Sequence, residues 1–164
     1  MSLAQALLPE LEHEAKTTQR VLERIPEDKV DWKPHPRSMS LGELGMHIAY
    51  SPSVLADVAV KDSHDFGPTP KLPPPTRQAI LDTFAKSTQK VKDVVGSFDD
   101  ARMASAITMT KDGKTIMAIP RAAFIRNIMM NHIYHHRGQL SVYLRLLDVP
   151  VPSIYGPSAD EKPF

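Results

Sequence analysis

Hydrophobic positions recur at helical spacing over four stretches of the chain. In the first, Leu3, Leu7, Leu11, Thr18, Leu22 and Ile25 fall on one face, with Ser2 placed to cap the helix and Pro26 to end it. Pro9 falls early and is expected to bend the first turns or shift the regular start. The second helix announces itself with a capping box, Ser40 and Glu43, and a hydrophobic staple, Met39 and Leu44. Leu44, His47, Ile48, Ser51, Val54, Leu55 and Val58 then share a face, and Pro52 should kink the helix just past His47. Thr76 can cap a third helix carrying Ile80, Phe84, Val91, Val94, Val95 and Phe98. The fourth pattern, from Pro120 to Leu147, is the longest.

Between these stretches the texture changes. Pro34 and Pro36 hold residues 26–39 extended, and Trp32 is placed to cover one end of the core. Residues 62–75 are rich in breakers and predict a semi-rigid loop across the helices. Ala106–Thr110 and Thr115–Ile119 flank an Asp112-Gly113 turn, which predicts a hairpin. A Pro-rich tail follows Val149. The pattern therefore predicts an all-α fold class, an antiparallel four-helix bundle with a small β-hairpin before the last helix. Residues 1–164 form a single domain in this reading, since neither side of the 62–75 loop could fold alone.

The fourth helix holds the unusual chemistry. With His132 at 0° and about 100° per residue, His136 falls near 40°, within the arc of Ile125, Met129, Ile133 and Leu140. Both histidines are expected to face the core, as is His47 on the second helix. A buried imidazole without a partner costs roughly 1–3 kcal/mol. Rings at i and i+4 can aim lone pairs at one point, and a metal ion answers that cost, with a third ligand needed from elsewhere. His135 lies near 300°, at the edge of the stripe, and is expected to be no ligand. His13 and His35 are read as solvated. Met130 and Tyr134, at about 160° and 200°, form an apolar pair opposite the histidines, where contact with a second copy is expected. Gly138 costs about 1 kcal/mol in a helix interior, which predicts a close approach by a neighbouring helix.

Composition narrows the function classes. A formal net charge of +1 gives no electrostatic case for nucleic acid or membrane. No apolar run approaches membrane-spanning length and the N-terminus lacks the order of a signal peptide, so the cytoplasm is expected. The absence of cysteine excludes a disulfide framework, a thiolate nucleophile and a Cys-based zinc site. Three neutral imidazoles leave coordination positions open, as in catalytic rather than structural sites, and zinc and nickel both suit such ligands. The metal could generate hydroxide for hydrolysis or activate a substrate thiol.

The segment Ser38-Met-Ser-Leu-Gly-Glu-Leu-Gly-Met-His47, followed far downstream by His132-Ile-Tyr-His-His136-Arg-Gly-Gln-Leu140, resembles the DinB-like superfamily of damage-inducible bacterial proteins. Asp31-Trp-Lys-Pro34 and Val151-Pro-Ser-Ile-Tyr-Gly-Pro-Ser158 are similar to the same family. The resemblance implies a helical bundle, a homodimer, and metal ligands at His47, His132 and His136, the three positions reached from the helical wheels. It places Arg137 and Gln139 in the family's fingerprint without assigning them chemistry. Relatives that are thiol-dependent transferases and isomerases imply an enzyme transferring a low-molecular-weight thiol to an electrophilic small-molecule substrate. A metal-dependent hydrolase is the alternative among enzymes. A non-catalytic metal-binding stress protein is the alternative outside them, because no evident general base accompanies the histidines.

Overall fold

A computed structural model describes residues 1–67 and 75–162. Helix α1 spans Leu3–Leu22, α2 Leu41–Ala59 and α3 Arg77–Gly96. Each begins at the cap its sequence supplies: the side chains of Ser2, Ser40 and Thr76 accept from Gln5, Glu43 and Ala79 amides. The boxes at Ser2 and Ser40 close in both directions, so two otherwise unpaired amides are satisfied at each start. Pro9 and Pro52 both lie within their helices. Beside Pro52 the bonding departs from the regular helical ladder: Ser51 Oγ donates to His47 O at 2.5 Å and Ser53 N–H donates to Ser87 Oγ at 2.8 Å.

A short helix, α4 (Asp100–Ala104), follows α3 and is capped by Asp99, whose side chain accepts from the Arg102 amide. The hairpin then forms from β2 (Ala106–Lys111) and β3 (Lys114–Pro120), paired antiparallel. Asp112 and Gly113 both have positive φ, 52° and 73°, the backbone that a two-residue hairpin turn requires. One strand went unread in the sequence: β1 (Ser63–Asp65) pairs parallel with β2, giving a three-stranded sheet in the order β1-β2-β3. It is only three residues long and carries no alternating apolar pattern, so the loop expected over 62–75 hid it. Residues 68–74 of that loop lie outside the described residues. The fold is thus mostly helical with a small sheet, where one hairpin was expected. Among the described residues no helix is long and apolar enough to cross a membrane.

The last helical stretch is compound: α5 (Arg121–Ala123), a π-helical segment (Phe124–Met130) and α6 (Asn131–Leu146). Its buried side chains include the pairs Phe124 with Met129 and Ile125 with Met130, five residues apart. That spacing matches i→i+5 bonding, and a uniform 100° wheel misplaces such residues. Met130 is fully buried rather than facing outward. Tyr134 is half-buried within its own chain: its hydroxyl donates to Glu10 Oε1 at 3.3 Å, and its ring lies 6.4 Å from that of Tyr155 in the tail. The apolar pair expected at a dimer contact is therefore covered by this chain's own first helix and tail.

The core consists of two apolar clusters. One gathers Leu11, Ala56, Val95, Ile107, Phe124 and Met130; the other gathers Val21, Leu44, Ile48, Phe84, Leu140 and Leu144. Along α1, α2, α3 and α6, polar residues stand between the two clusters, with Glu14, Thr17, Thr18, Ser51, Ser87 and Arg137 all buried. The three candidate histidines occupy the same level of sequence, His47 just before Ser51 and His132 and His136 between Met130 and Leu140. Trp32 closes one end, its ring 5.6 Å from Tyr143 in an edge contact.

Close helix approach falls on α2, not on α6. A Cβ built at Gly45 would meet Ile25 Cδ1 at 2.6 Å and Ile80 Cδ1 at 2.9 Å, whereas one at Gly138 would meet nothing within 4 Å. Gly138 is exposed, and among the described residues nothing makes the expected close approach, so its helix cost is uncompensated. Gly45→Ala is expected to lose about 1–2 kcal/mol: helix propensity returns about 1 kcal/mol, and overpacking two fully buried isoleucines costs up to about 3. Gly138→Ala should gain about 0.5–1 kcal/mol by the propensity effect alone. Urea unfolding of the two variants checks the opposite signs.

Candidate metal centre

His47 is carried by α2, and His132 and His136 by consecutive turns of α6, directly after the π-helical segment. Their Nε2 atoms converge: His47 Nε2 stands 2.8 Å from His132 Nε2 and 3.1 Å from His136 Nε2. One ligand atom from each of the three residues lies within 4.8 Å of the others, so the cluster could hold a metal ion. The sequence pointed the histidines at the core, and here the structure differs. All three are half-buried, and the fully buried arc of α6 is Arg137, Leu140 and Leu144, at about 80–140° on the wheel. The imidazoles sit on its flank. That position brings them together while leaving them partly accessible.

Burial lowers the pKa of His47 and of His132 to about 4, and a positive His136 beside them would act in the same direction. Burial also lowers His136, against the opposing effect of its hydrogen bond to Gln139. The rings are therefore neutral at pH 7, the state a ligand needs. A neutral imidazole carries a single N–H, so His47 Nε2 can offer a proton to at most one of its two close neighbours. Where two facing nitrogens are both bare, their lone pairs oppose each other across about 3 Å, an unfavourable contact that a cation would turn into an attractive one. The donor set and its convergence both fit a divalent metal with imidazole ligands.

Other residues place or frame these rings. Gln139 Oε1 lies 2.7 Å from His136 Nδ1, and the Tyr50 ring stands edge-on to His47 with centroids 5.7 Å apart. His135 is exposed, with its ring 4.8 Å from that of His136, and does not belong to the converging set. His35 is exposed in its loop, where its Nδ1 accepts from the Arg37 amide at 3.2 Å. A largely apolar cavity bordered by Leu11, Pro52, Phe84, Val91, Met130 and Ile133 is separate from the centre, since none of the three histidines lines it.

The burial of two arginines was not evident from the sequence. Arg137, one residue after a ligand, is paired with Glu14 Oε2 at 2.7 Å, donates to Thr18 Oγ1 at 3.1 Å and to the Tyr155 hydroxyl at 2.6 Å. It thereby ties α6 to α1 and to the tail. Its signal was its angle of about 140°, inside the apolar arc. Arg121 is fully buried and donates to the carbonyls of Ala59, Ser105 and Ala106 at 2.9, 3.3 and 3.1 Å. It satisfies the last carbonyl of α2 and fixes the start of the compound helix against the sheet. No local pattern announces it.

A model of the DinB superfamily matches residues 10–140, a span that contains all three histidines. The chain belongs to the DinB superfamily. Among its relatives is the Bacillus subtilis (strain 168) protein YrdA, described as uncharacterized, 24% identical over 152 residues that cover 92% of this chain and 86% of YrdA. A DinB-like protein from Bacillus cereus has a similar fold, with a TM-score of 0.74 at 22% identity, covering 92% of this chain and 97% of that one. The DinB-like protein YjoA from Bacillus subtilis gives a TM-score of 0.68 at 21% identity, covering 87% of this chain and 92% of its own. These likenesses cover most of the chain and not only the histidine segments.

Proposed function

We propose that this DinB-superfamily protein is a divalent-metal-dependent enzyme whose His47, His132 and His136 hold zinc or nickel through Nε2. We infer further that it transfers a low-molecular-weight thiol to an electrophilic carbon of a small molecule. The observation that supports this most is the convergence of three neutral Nε2 atoms, 2.8 and 3.1 Å apart, on half-buried rings. Three protein ligands leave room for an exogenous one. Bound there, the metal would supply Lewis acidity that lowers the pKa of an incoming thiol, or of water in a hydrolytic reaction.

The chain's own part is placement. With no cysteine in the sequence, the thiol must come from outside, so the reaction needs no covalent enzyme intermediate. The α2–α6 seam would hold the thiol against its electrophile and gain rate by proximity. No carboxylate belongs to the converging set, which favours a nucleophile that ionises near neutral pH over one needing a dedicated base. The resemblance to other family members supports a cytoplasmic homodimer as part of the same reading, formed through a face other than Met130 and Tyr134.

Cobalt substitution tests the reaction. Bacterial low-molecular-weight thiols added singly to the cobalt protein should produce a sulfur-to-metal absorption band, and that band should vanish in His132→Ala. If no thiol gives the band while electrophile and thiol still turn over equally in His132→Ala, the transferase reading fails, and hydrolysis or a non-catalytic role replaces it.

A further inference from the structure

We infer that Gln139 is a positioning residue for the metal centre: its Oε1 accepts the Nδ1–H of His136, fixing the ring in the tautomer that leaves Nε2 bare and aimed at His47. The inference rests on the metal reading above and names a residue that acts through one of its ligands.

The geometry runs in one direction. Gln139 is three residues after His136 and so lies beside it on the helix surface. Oε1 stands 2.7 Å from Nδ1, and a carbonyl oxygen can only accept, so the ring proton must be on Nδ1. A neutral imidazole has one such proton, and placing it on Nδ1 strips Nε2. That Nε2 is the atom 3.1 Å from His47 Nε2. Free imidazoles populate both tautomers, and the Nε2–H form would turn a donor toward the point where a ligand atom is needed. The bond also fixes the ring's rotation, and its acceptor increases the basicity of the opposite nitrogen.

Gln139 is exposed, and among the described residues its side chain makes no other hydrogen bond with the protein. A long polar side chain in that situation is normally free to point into solvent. Holding it on the ring sacrifices rotamer entropy that only the contact with His136 offsets. Among the described residues, neither His47 nor His132 has a protein partner on its Nδ1. His136 is the ligand whose tautomer the protein itself selects.

The protein, labelled with 15N-histidine and freed of metal, is examined by long-range 1H–15N correlation at pH 7.5. His136 should show the Nδ1–H pattern in the wild type and shift toward Nε2–H in Gln139→Leu. Zinc affinity, read by competition with a chromophoric chelator, should fall about 10–100-fold in Gln139→Leu and return to at least the wild-type value in Gln139→Glu, which keeps an acceptor. An unchanged tautomer pattern in Gln139→Leu, or an unchanged zinc affinity in that variant, overturns the inference. The spectra are recorded without metal, so a wild-type chain that binds no zinc would overturn the metal reading while the tautomer result still decides the role of Gln139.

Discussion

Alanine at His47, His132 or His136 is expected to remove the bound metal, while His135→Ala keeps it. The wild type should carry about one divalent ion per chain after dialysis, and each of the three variants close to none. The discrimination is sharp because His135 and His136 are sequence neighbours with rings 4.8 Å apart, yet only His136 Nε2 joins the converging set. Elemental analysis of the four variants checks it, and equal loss in His135→Ala would refute the assignment. Acid adds a second signature. His47 and His132 titrate at about 4 in the folded chain, against about 6.5 for a free histidine. Protons that compete with metal therefore bind late, and the ion should be retained further into acid than free imidazoles would allow. In the metal-free protein the same shift makes stability depend on pH. Between about 4 and 6.5 the unfolded chain binds more protons than the folded one, so stability is full above about pH 6.5 and falls as pH drops toward 4. Thermal unfolding of the metal-free protein at pH 7.5 and pH 5 should show this drop, and His132→Leu should reduce it.

Arg137→Met is expected to cost about 3–5 kcal/mol, the largest stability loss among the substitutions considered. The Arg137 and Glu14 side chains retain 2% and 11% exposure, so removing the guanidinium leaves a carboxylate buried without its partner. The same change frees Tyr155, whose ring lies 5.0 Å below the guanidinium and whose hydroxyl also donates to Glu14 Oε2 at 3.1 Å. Tail and first helix then both lose their link to α6 through Arg137. The double variant Arg137→Met, Glu14→Leu should recover most of the loss, because a buried pair is replaced by apolar groups rather than broken. Urea unfolding of the single and double variants measures both. A loss below about 1 kcal/mol in the single variant would show that the pair is solvated, like an ordinary surface bridge.

The sequence by itself determined the helix starts, the hairpin and the three converging histidines. These depend on contacts within a few residues: a Ser40–Glu43 box closes over three positions, and Asp112-Gly113 dictates its turn through backbone sterics. The i, i+4 spacing of His132 and His136 needs only a helix, and the inward pattern around His47 needs only another. What the sequence left open was how wide each buried face is and what covers it. A uniform wheel made Met130 and Tyr134 an exposed pair, because it contained neither the π-helical spacing from Phe124 to Met130 nor the first helix and tail that enclose them. It placed the histidines at the centre of the stripe, although in the assembled fold Arg137, Leu140 and Leu144 are the buried side chains of α6 and the rings stand on the flank. Gly138 and Gly45 look alike in sequence, and only the position of Ile25 and Ile80 makes one of them tight. The strand β1 and the buried Arg121 are likewise creatures of the assembled fold, for β1 pairs with a strand more than forty residues away and Arg121 reaches the Ala59 carbonyl across more than sixty. Local rules chose the elements and the ligand types; long-range packing, which no periodicity encodes, chose the exposure of the site.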